Sequence, residues 1–291
     1  MRGKWFLWLV FSTLSFIWGS SFILMKIGLD QLSAYQVASL RILSAGLILL
    51  PFGLSAWKKV PAEKRGFVIL SGLLGSFFPA FLFCLAETYI DSSLAGIINA
   101  LTPLFTIIIG LVFFGLQPKP RVIAGVVLGL AGLCLLPFVG NHAVSFHYLY
   151  YASFALVATV FYGVNVNLVG RHLGNINALS VASLAFMFLI IPSGLILAFT
   201  GFFSLGASQI FSASTLASCV LGIGGTAIAT ILFYMLVKRA GSLFASLVTY
   251  AIPIVAMLWG FLRHEWITVW QAGCLGIILC GVYLVNRKRK P

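Results

Sequence analysis

"VASL" stands at Val37–Leu40 and returns at Val181–Leu184, a shift of 144 positions. The same shift lays Trp18-Gly19 on Tyr162-Gly163. Further along each half a shift of 150 lays Ser92 on Ser242, Pro103 on Pro253 and Gly110 on Gly260. Small residues recur in every membrane helix, so a single coincidence carries little. Several matches held at two shifts point instead to an internal repeat, expected at residues 1–140 and 145–291.

Composition says what kind of segments are being repeated. The chain has 291 residues, 61% hydrophobic and 8% charged, with a mean hydropathy of +1.11. A soluble domain carries about 25% charged residues, so this is an integral membrane protein. Runs of about 20 apolar residues span a bilayer as helices. Ten are expected, near residues 5–25, 34–55, 67–86, 92–115, 121–139, 148–170, 178–200, 212–236, 243–262 and 268–286. The first is long enough to span and is followed by no A-x-A cleavage site, so it reads as a helix rather than a signal peptide. Five helices per half is an odd number, so the second half enters the membrane from the opposite side. The expected fold class is all-α, with ten transmembrane helices as two inverted five-helix repeats, an architecture of secondary transporters.

The net charge of +13 does not indicate nucleic acid, because the basic residues sit in short loops between apolar runs. With the N-terminus inside, 15 of the 18 Lys and Arg fall in inner loops and tails, Lys26 and Arg263 fall outside, and Arg41 lies within the second helix. That asymmetry predicts a multi-pass protein of the cytoplasmic membrane with both termini in the cytoplasm. The five cysteines lie in apolar segments without CxxC spacing and read as small buried hydrophobes.

Polar residues inside these helices are the candidate functional groups. At 100° per residue, Ser92, Gly96, Asn99, Pro103, Thr106 and Gly110 share an arc of about 80° on the fourth helix. The ninth repeats the stripe with Ser242, Ser246, Thr249, Pro253, Ala256 and Gly260. Such a stripe faces protein or water, because an unpaired amide in hydrocarbon costs several kcal/mol. Either it lines a cavity, where the carbonyls freed by Pro103 and Pro253 and the side chains of Asn99 and Thr249 bind cargo, or it packs helices tightly with prolines as hinges. The first and sixth helices add Trp18 and Ser21, matched by Tyr162 and Asn165. Asn167 lies beside them, and the eighth adds Gly222–Thr230, either a mobile, partly unwound segment or a close-packed one, followed by Tyr234. "AGVVLGLAG" (Ala124–Gly132) and "AGCLGIILCG" (Ala272–Gly281) offer glycines but few hydrogen-bonding groups. They read as scaffold or dimer helices, so the protein is expected as a monomer or homodimer.

The five acids, Asp30, Glu63, Glu87, Asp91 and Glu265, and the four histidines all fall in loops or near helix ends. A proton-driven pump keeps such groups within the membrane, so movement down a gradient, or exchange, fits better. Arg41 is the one buried charge. It either pairs with Glu87 as a structural element or receives a substrate carboxylate or phosphate on its planar fork. Lys26 either snorkels outward or joins an outer charge network with Glu87 and Glu265. HExxH, GxSxG, a phosphate loop and an intramembrane carboxylate pair are all missing, so no enzyme activity, cofactor or metal site is expected.

"FIWGSSFILMKIGLD" with "VASLRILSAGLILL" resembles the opening helices of EamA-type carriers of the drug/metabolite transporter superfamily. "SSLAGIINALTPLFTIIIGLVFFG" resembles their fourth helix, "GSLFASLVTYAIPIVAMLWGFLRHE" their ninth and "GCLGIILCGVYLV" their last. The resemblance implies ten helices, alternating access and transport of small metabolites, often amino-acid export. It marks Trp18, Gly19, Lys26, Arg41, Pro103, Pro253 and Glu265. Ser21, where members often have Asn, and Gly115, where they often have Glu, depart from the pattern. The expected cargo is a small polar metabolite, an amino acid or analogue. The alternatives are efflux of amphipathic drugs, which prefers an accessible carboxylate, and a membrane partner protein that transports nothing.

Overall fold

The computed structural model describes residues 2–114, 120–135, 139, 146–241, 244–245, 247–262 and 268–286. Among the described residues the regular elements are helices. In chain order they are α1 (Arg2–Leu29), α2 (Ala34–Lys59), α3 (Ala62–Gly72), a π-helical turn (Leu73–Phe77) and α4 (Phe78–Ala86). Then come α5 (Ser92–Asn99), α6 (Thr102–Phe114), α7 (Pro120–Leu135), α8 (Phe146–His172) and α9 (Ala178–Phe199). The short α10 (Ala207–Ile210) precedes α11 (Ala213–Val220), a second π-helical segment (Leu221–Ile228) and α12 (Ala229–Ala240). The chain closes with α13 (Val248–Leu262) and α14 (Val269–Asn286).

Seven of these stretches are long and apolar enough to cross a bilayer: Trp5–Leu29, Ala34–Lys59, Ala62–Ala86, Ser92–Phe113, Phe146–His172, Ala178–Phe199 and Ala207–Ala240. Three further apolar helices are shorter, Ile123–Gly132, Val248–Leu262 and Val269–Gly281. The third helix starts five residues before the expected position, at Ala62, because Lys64 and Arg65 lie on its first turn rather than in the loop. The fourth expected helix is broken. α5 stops at Asn99 and α6 restarts at Thr102, since Pro103 has no amide hydrogen to continue the ladder. Local chemistry also sets the start of α2, where Ser33 accepts from the Gln36 amide and the Gln36 side chain accepts from the Ser33 amide at 2.9 Å.

Helices pair in a repeating scheme. α2 packs along α9 and α7 along α14, each partner coming from the other half of the chain. α1 packs on α13 much as α8 packs on α6, and α2 meets the π segment at Leu221–Ile228 while α9 meets α3. Close approach depends on missing side chains at a few points. A Cβ on Gly163 would lie 2.9 Å from the backbone of Phe105 and Thr106, and one on Gly281 would lie 2.6 Å from the Gly125 carbonyl oxygen. The outer face exposes Leu47, Phe113, Ile191 and Phe199, apolar groups suited to lipid. The cysteines divide more than expected. Cys84 and Cys274 are buried, but Cys134 and Cys280 are exposed and Cys219 is intermediate. In a membrane protein the outer face is also apolar, so an apolar sequence context does not separate core from lipid.

Candidate functional site

The bundle encloses a cavity of about 80 Å³ between the two halves of the chain. The eight residues expected to bind cargo, Trp18, Ser21, Arg41, Asn99, Tyr162, Asn165, Tyr234 and Thr249, all line it. They come from α1, α2, α5, α8, α12 and α13, so six helices converge on one space. Phe22, Phe83 and Phe233 complete aromatic walls. Trp18 packs on Phe233 with ring centroids 5.1 Å apart, and Tyr162 packs on Phe83 at 5.9 Å.

Arg41 is 7% exposed. Its Nε donates to the Thr226 hydroxyl at 2.7 Å and its Nη1 points at the Met25 sulfur at 3.6 Å. Both acceptors are neutral. At these two atoms the guanidinium is met by dipoles rather than by a carboxylate. Tyr162 lies beside the guanidinium. Thr226 sits in the π segment and donates in turn to the Leu221 carbonyl at 3.2 Å. A π-helical turn widens the backbone and re-aims side chains, and such turns are frequent at functional sites.

Both π segments press glycines against cavity residues. Gly222 abuts the backbone of Arg41, and a Cβ on Gly225 would lie 2.8 Å from the Ser21 Oγ. The Trp18 indole nitrogen donates to the Gly225 carbonyl at 3.1 Å. On the other side Gly75, in Leu73–Phe77, abuts the amide of Asn165. Asn165 lies beside Tyr234, whose hydroxyl is 2.7 Å from the Ser71 Oγ. The Asn165 Oδ1 is buried and accepts no hydrogen bond among the described residues. A buried amide oxygen without a donor is costly, and this one belongs to a residue that lines the cavity.

The polar stripes divide between cavity and packing. Asn99 and Thr249 reach the cavity, whereas a Cβ on Gly96 would lie 2.9 Å from the Ala256 Cβ. Ser242 and Ser246 lie outside the described residues. The expected free carbonyl at Asn99 is occupied. Thr102 at the head of α6 donates its hydroxyl to it at 2.7 Å. Asn167 acts between helices, donating to the Thr106 carbonyl at 2.8 Å and the Gly163 carbonyl at 2.9 Å. Ser20 faces away from the cavity and accepts from the Trp259 indole at 2.8 Å. At one end of the bundle Lys26 donates to the carbonyls of Glu87 and Ile90 at 3.0 and 3.1 Å. There a cation meets the C-terminal end of α4, as the helix dipole favours. The Glu87 carboxylate accepts from Ser92 at 3.3 Å and is itself 1% exposed, so Arg41 is not the one buried charge that the sequence suggested; Glu265 lies outside the described residues.

The sequence reading missed Gly75 and Ser76 as lining residues, and it took Thr226 and Thr230 only as part of the Gly222–Thr230 stretch. A signal existed. The shift of 150 that lays Pro103 on Pro253 also lays Gly75-Ser76 on Gly225-Thr226, which marks both segments as one repeated feature.

The helices and the enclosed cavity, polar at several points and bounded by lipid-facing surfaces, define a multi-pass membrane protein of the transporter class. The chain belongs to the EamA-like transporter family, which residues 4–138 match and residues 149–287 match again. It is 26% identical to the uncharacterized inner membrane transporter YedA of Escherichia coli K12, over 93% of this chain and 87% of that one. It is 25% identical to a probable terminal-alkyne amino-acid exporter of Streptantibioticus cattleyicolor, over 93% and 90%. A solved crystal structure of a protein shares the fold, with a TM-score of 0.66, 20% identity and coverage of 96% and 95%.

Proposed function

We propose that this chain is a ten-span carrier that exports small carboxylated metabolites, amino acids or their analogues, across the cytoplasmic membrane by alternating access. Its two halves, 1–140 and 145–291, act as inverted five-helix repeats with the termini in the cytoplasm. The two separate family matches, the repeated helix pairings and the exporter among the relatives support that reading. The basic residues concentrated in one set of loops support the orientation.

The observation that carries the cargo class is Arg41, a buried guanidinium on a small cavity with no carboxylate among its described lining residues. Its fork receives the cargo carboxylate in bidentate fashion. Asn165 Oδ1 accepts from a cargo N–H, with Asn99 and Thr249 as further hydrogen-bonding groups. The aromatic walls enclose a short side chain. Among the described lining residues there is no acid, an arrangement poorly suited to lipophilic cations, which sets drug efflux behind this reading. The twin π segments are the candidate hinges, with Gly19, Pro103 and Pro253 as supporting elements. Lys26, bonded to the Glu87 and Ile90 carbonyls, anchors the outer end.

The test is a liposome counterflow screen with purified protein. The account expects labelled amino acids to exchange against unlabelled ones without an imposed proton gradient. Strict dependence on that gradient, or no exchange of any carboxylated solute, contradicts it.

A further inference from the structure

A second, larger cleft lies at an end of the bundle, away from the central cavity. Its volume is about 480 Å³, and it opens between the turn joining α2 to α3 and the turn joining α8 to α9. Its lining includes Lys59, Lys64, Arg171 and His172, with Asn175, Asn177 and Ser180 as neutral polar groups and no acidic side chain. We propose that this cleft binds a phosphate-bearing anion at the membrane surface, with the headgroup of an anionic phospholipid as its first source.

Three features support this. First, the cations converge. A bias of Lys and Arg toward one membrane face explains how many lie in these loops, but not why four basic side chains line one concavity. Lys58 and Arg239, at the ends of α2 and α12, do not line it. Second, the walls are held in place. The His172 ring stacks on Phe67 with centroids 4.2 Å apart and planes 5° from parallel. The Lys64 ammonium lies over the same Phe67 ring at 5.7 Å. Lys238 donates to the Ile176 carbonyl, fixing the far turn. Third, the position suits a headgroup. The cleft sits at the ends of membrane-length helices, where basic pockets between helices take lipid phosphates. It also joins a turn of the first half to a turn of the second, so a bound anion bridges the two halves.

The experiment titrates purified protein with short-chain phosphatidylglycerol, phosphatidylcholine or sodium phosphate at constant ionic strength, and reads the thermal unfolding midpoint. Phosphatidylglycerol is expected to bind at least tenfold more tightly than phosphatidylcholine. Removing two cleft cations in Lys64→Gln/Arg171→Gln is expected to weaken that binding by roughly tenfold or more. Lys58→Gln/Arg239→Gln removes the same charge outside the cleft and is expected to change it less than about twofold. If Lys64→Gln/Arg171→Gln does not fold, Lys59→Gln/Lys64→Gln supplies the same comparison. Cleft-dependent protection by sodium phosphate alone identifies free phosphate as the source and keeps the site. Equal weakening by both pairs of substitutions, or no preference for either phosphate-bearing anion, overturns the proposal.

Discussion

Two contacts stand at matching positions in the two halves and differ in one side chain. Gly222 abuts the backbone of Arg41, and the Cβ of an alanine at Gly72 would lie 3.0 Å from the Ala185 Cβ. The shift of 150 carries Gly72 to Gly222, and the shift of 144 carries Arg41 to Ala185. The backbone scheme is therefore repeated, a glycine of one helix seated against α2 or α9. The charge is not. Arg41 reaches the central cavity, while Ala185 is buried and only fills space. The same holds for Ser21 against Gly225 and Asn165 against Gly75, where equal positions carry a hydroxyl and an amide. Symmetry belongs to the packing, which suits the alternating access proposed above. Asymmetry belongs to the side chains, which suits the proposed cargo with its unlike ends.

The comparison breaks most severely if charge is made symmetric. Ala185→Arg places an unpartnered guanidinium in a packed site and is expected to destabilise the fold by about 3–5 kcal/mol. The measurement is the yield and melting temperature of monodisperse protein in detergent. The glycines give the next largest effect. Gly222→Ala forces a methyl group into the Arg41 backbone at a cost of about 1–3 kcal/mol. Gly72→Ala meets the Ala185 Cβ at 3.0 Å and the movable Leu189 side chain at 3.4 Å, a milder overlap than at Gly222, and is expected to cost about 1 kcal/mol. Gly224, with nothing within 4 Å of an added Cβ, is the silent control in the same thermal assay. Ser71→Ala removes the hydroxyl partner of Tyr234 and is expected to cost about 1 kcal/mol. The mildest change for stability is Asn165→Ser, which gives the second half the residue of the first. It is expected to shift stability by less than about 1 kcal/mol, yet to weaken binding of amino-bearing cargo about five- to tenfold. Direct binding measurements against a deaminated analogue check this, because that analogue should lose nothing.

Much of this was legible in the sequence because hydrocarbon makes polar residues conspicuous. Trp18, Arg41, Asn99 and Asn165 stand out in apolar helices, and the structure gathers them at one cavity. Less was legible where residue types are ambiguous. Gly75, Ser76, Thr226 and Thr230 are small residues of a kind that also serves ordinary helix packing. Gly75, Ser76 and Thr226 lie in π-helical turns that no local propensity announces. Asn165 and Asn167 are two residues apart, hence on different faces of α8. One lines the cavity and the other ties α8 to α6, a division that only the placement of neighbours reveals. The free carbonyl expected at Asn99 failed for a local reason, since Thr102 is close enough to satisfy it.

The central claim is that Arg41 recognises a cargo carboxylate. It is tested most directly by titration calorimetry of a transported amino acid and its decarboxylated amine against wild-type protein and Arg41→Ala. The account predicts that wild type favours the amino acid by about ten- to a hundredfold, and that Arg41→Ala folds but loses that preference. Unchanged affinity for both compounds in Arg41→Ala would contradict it.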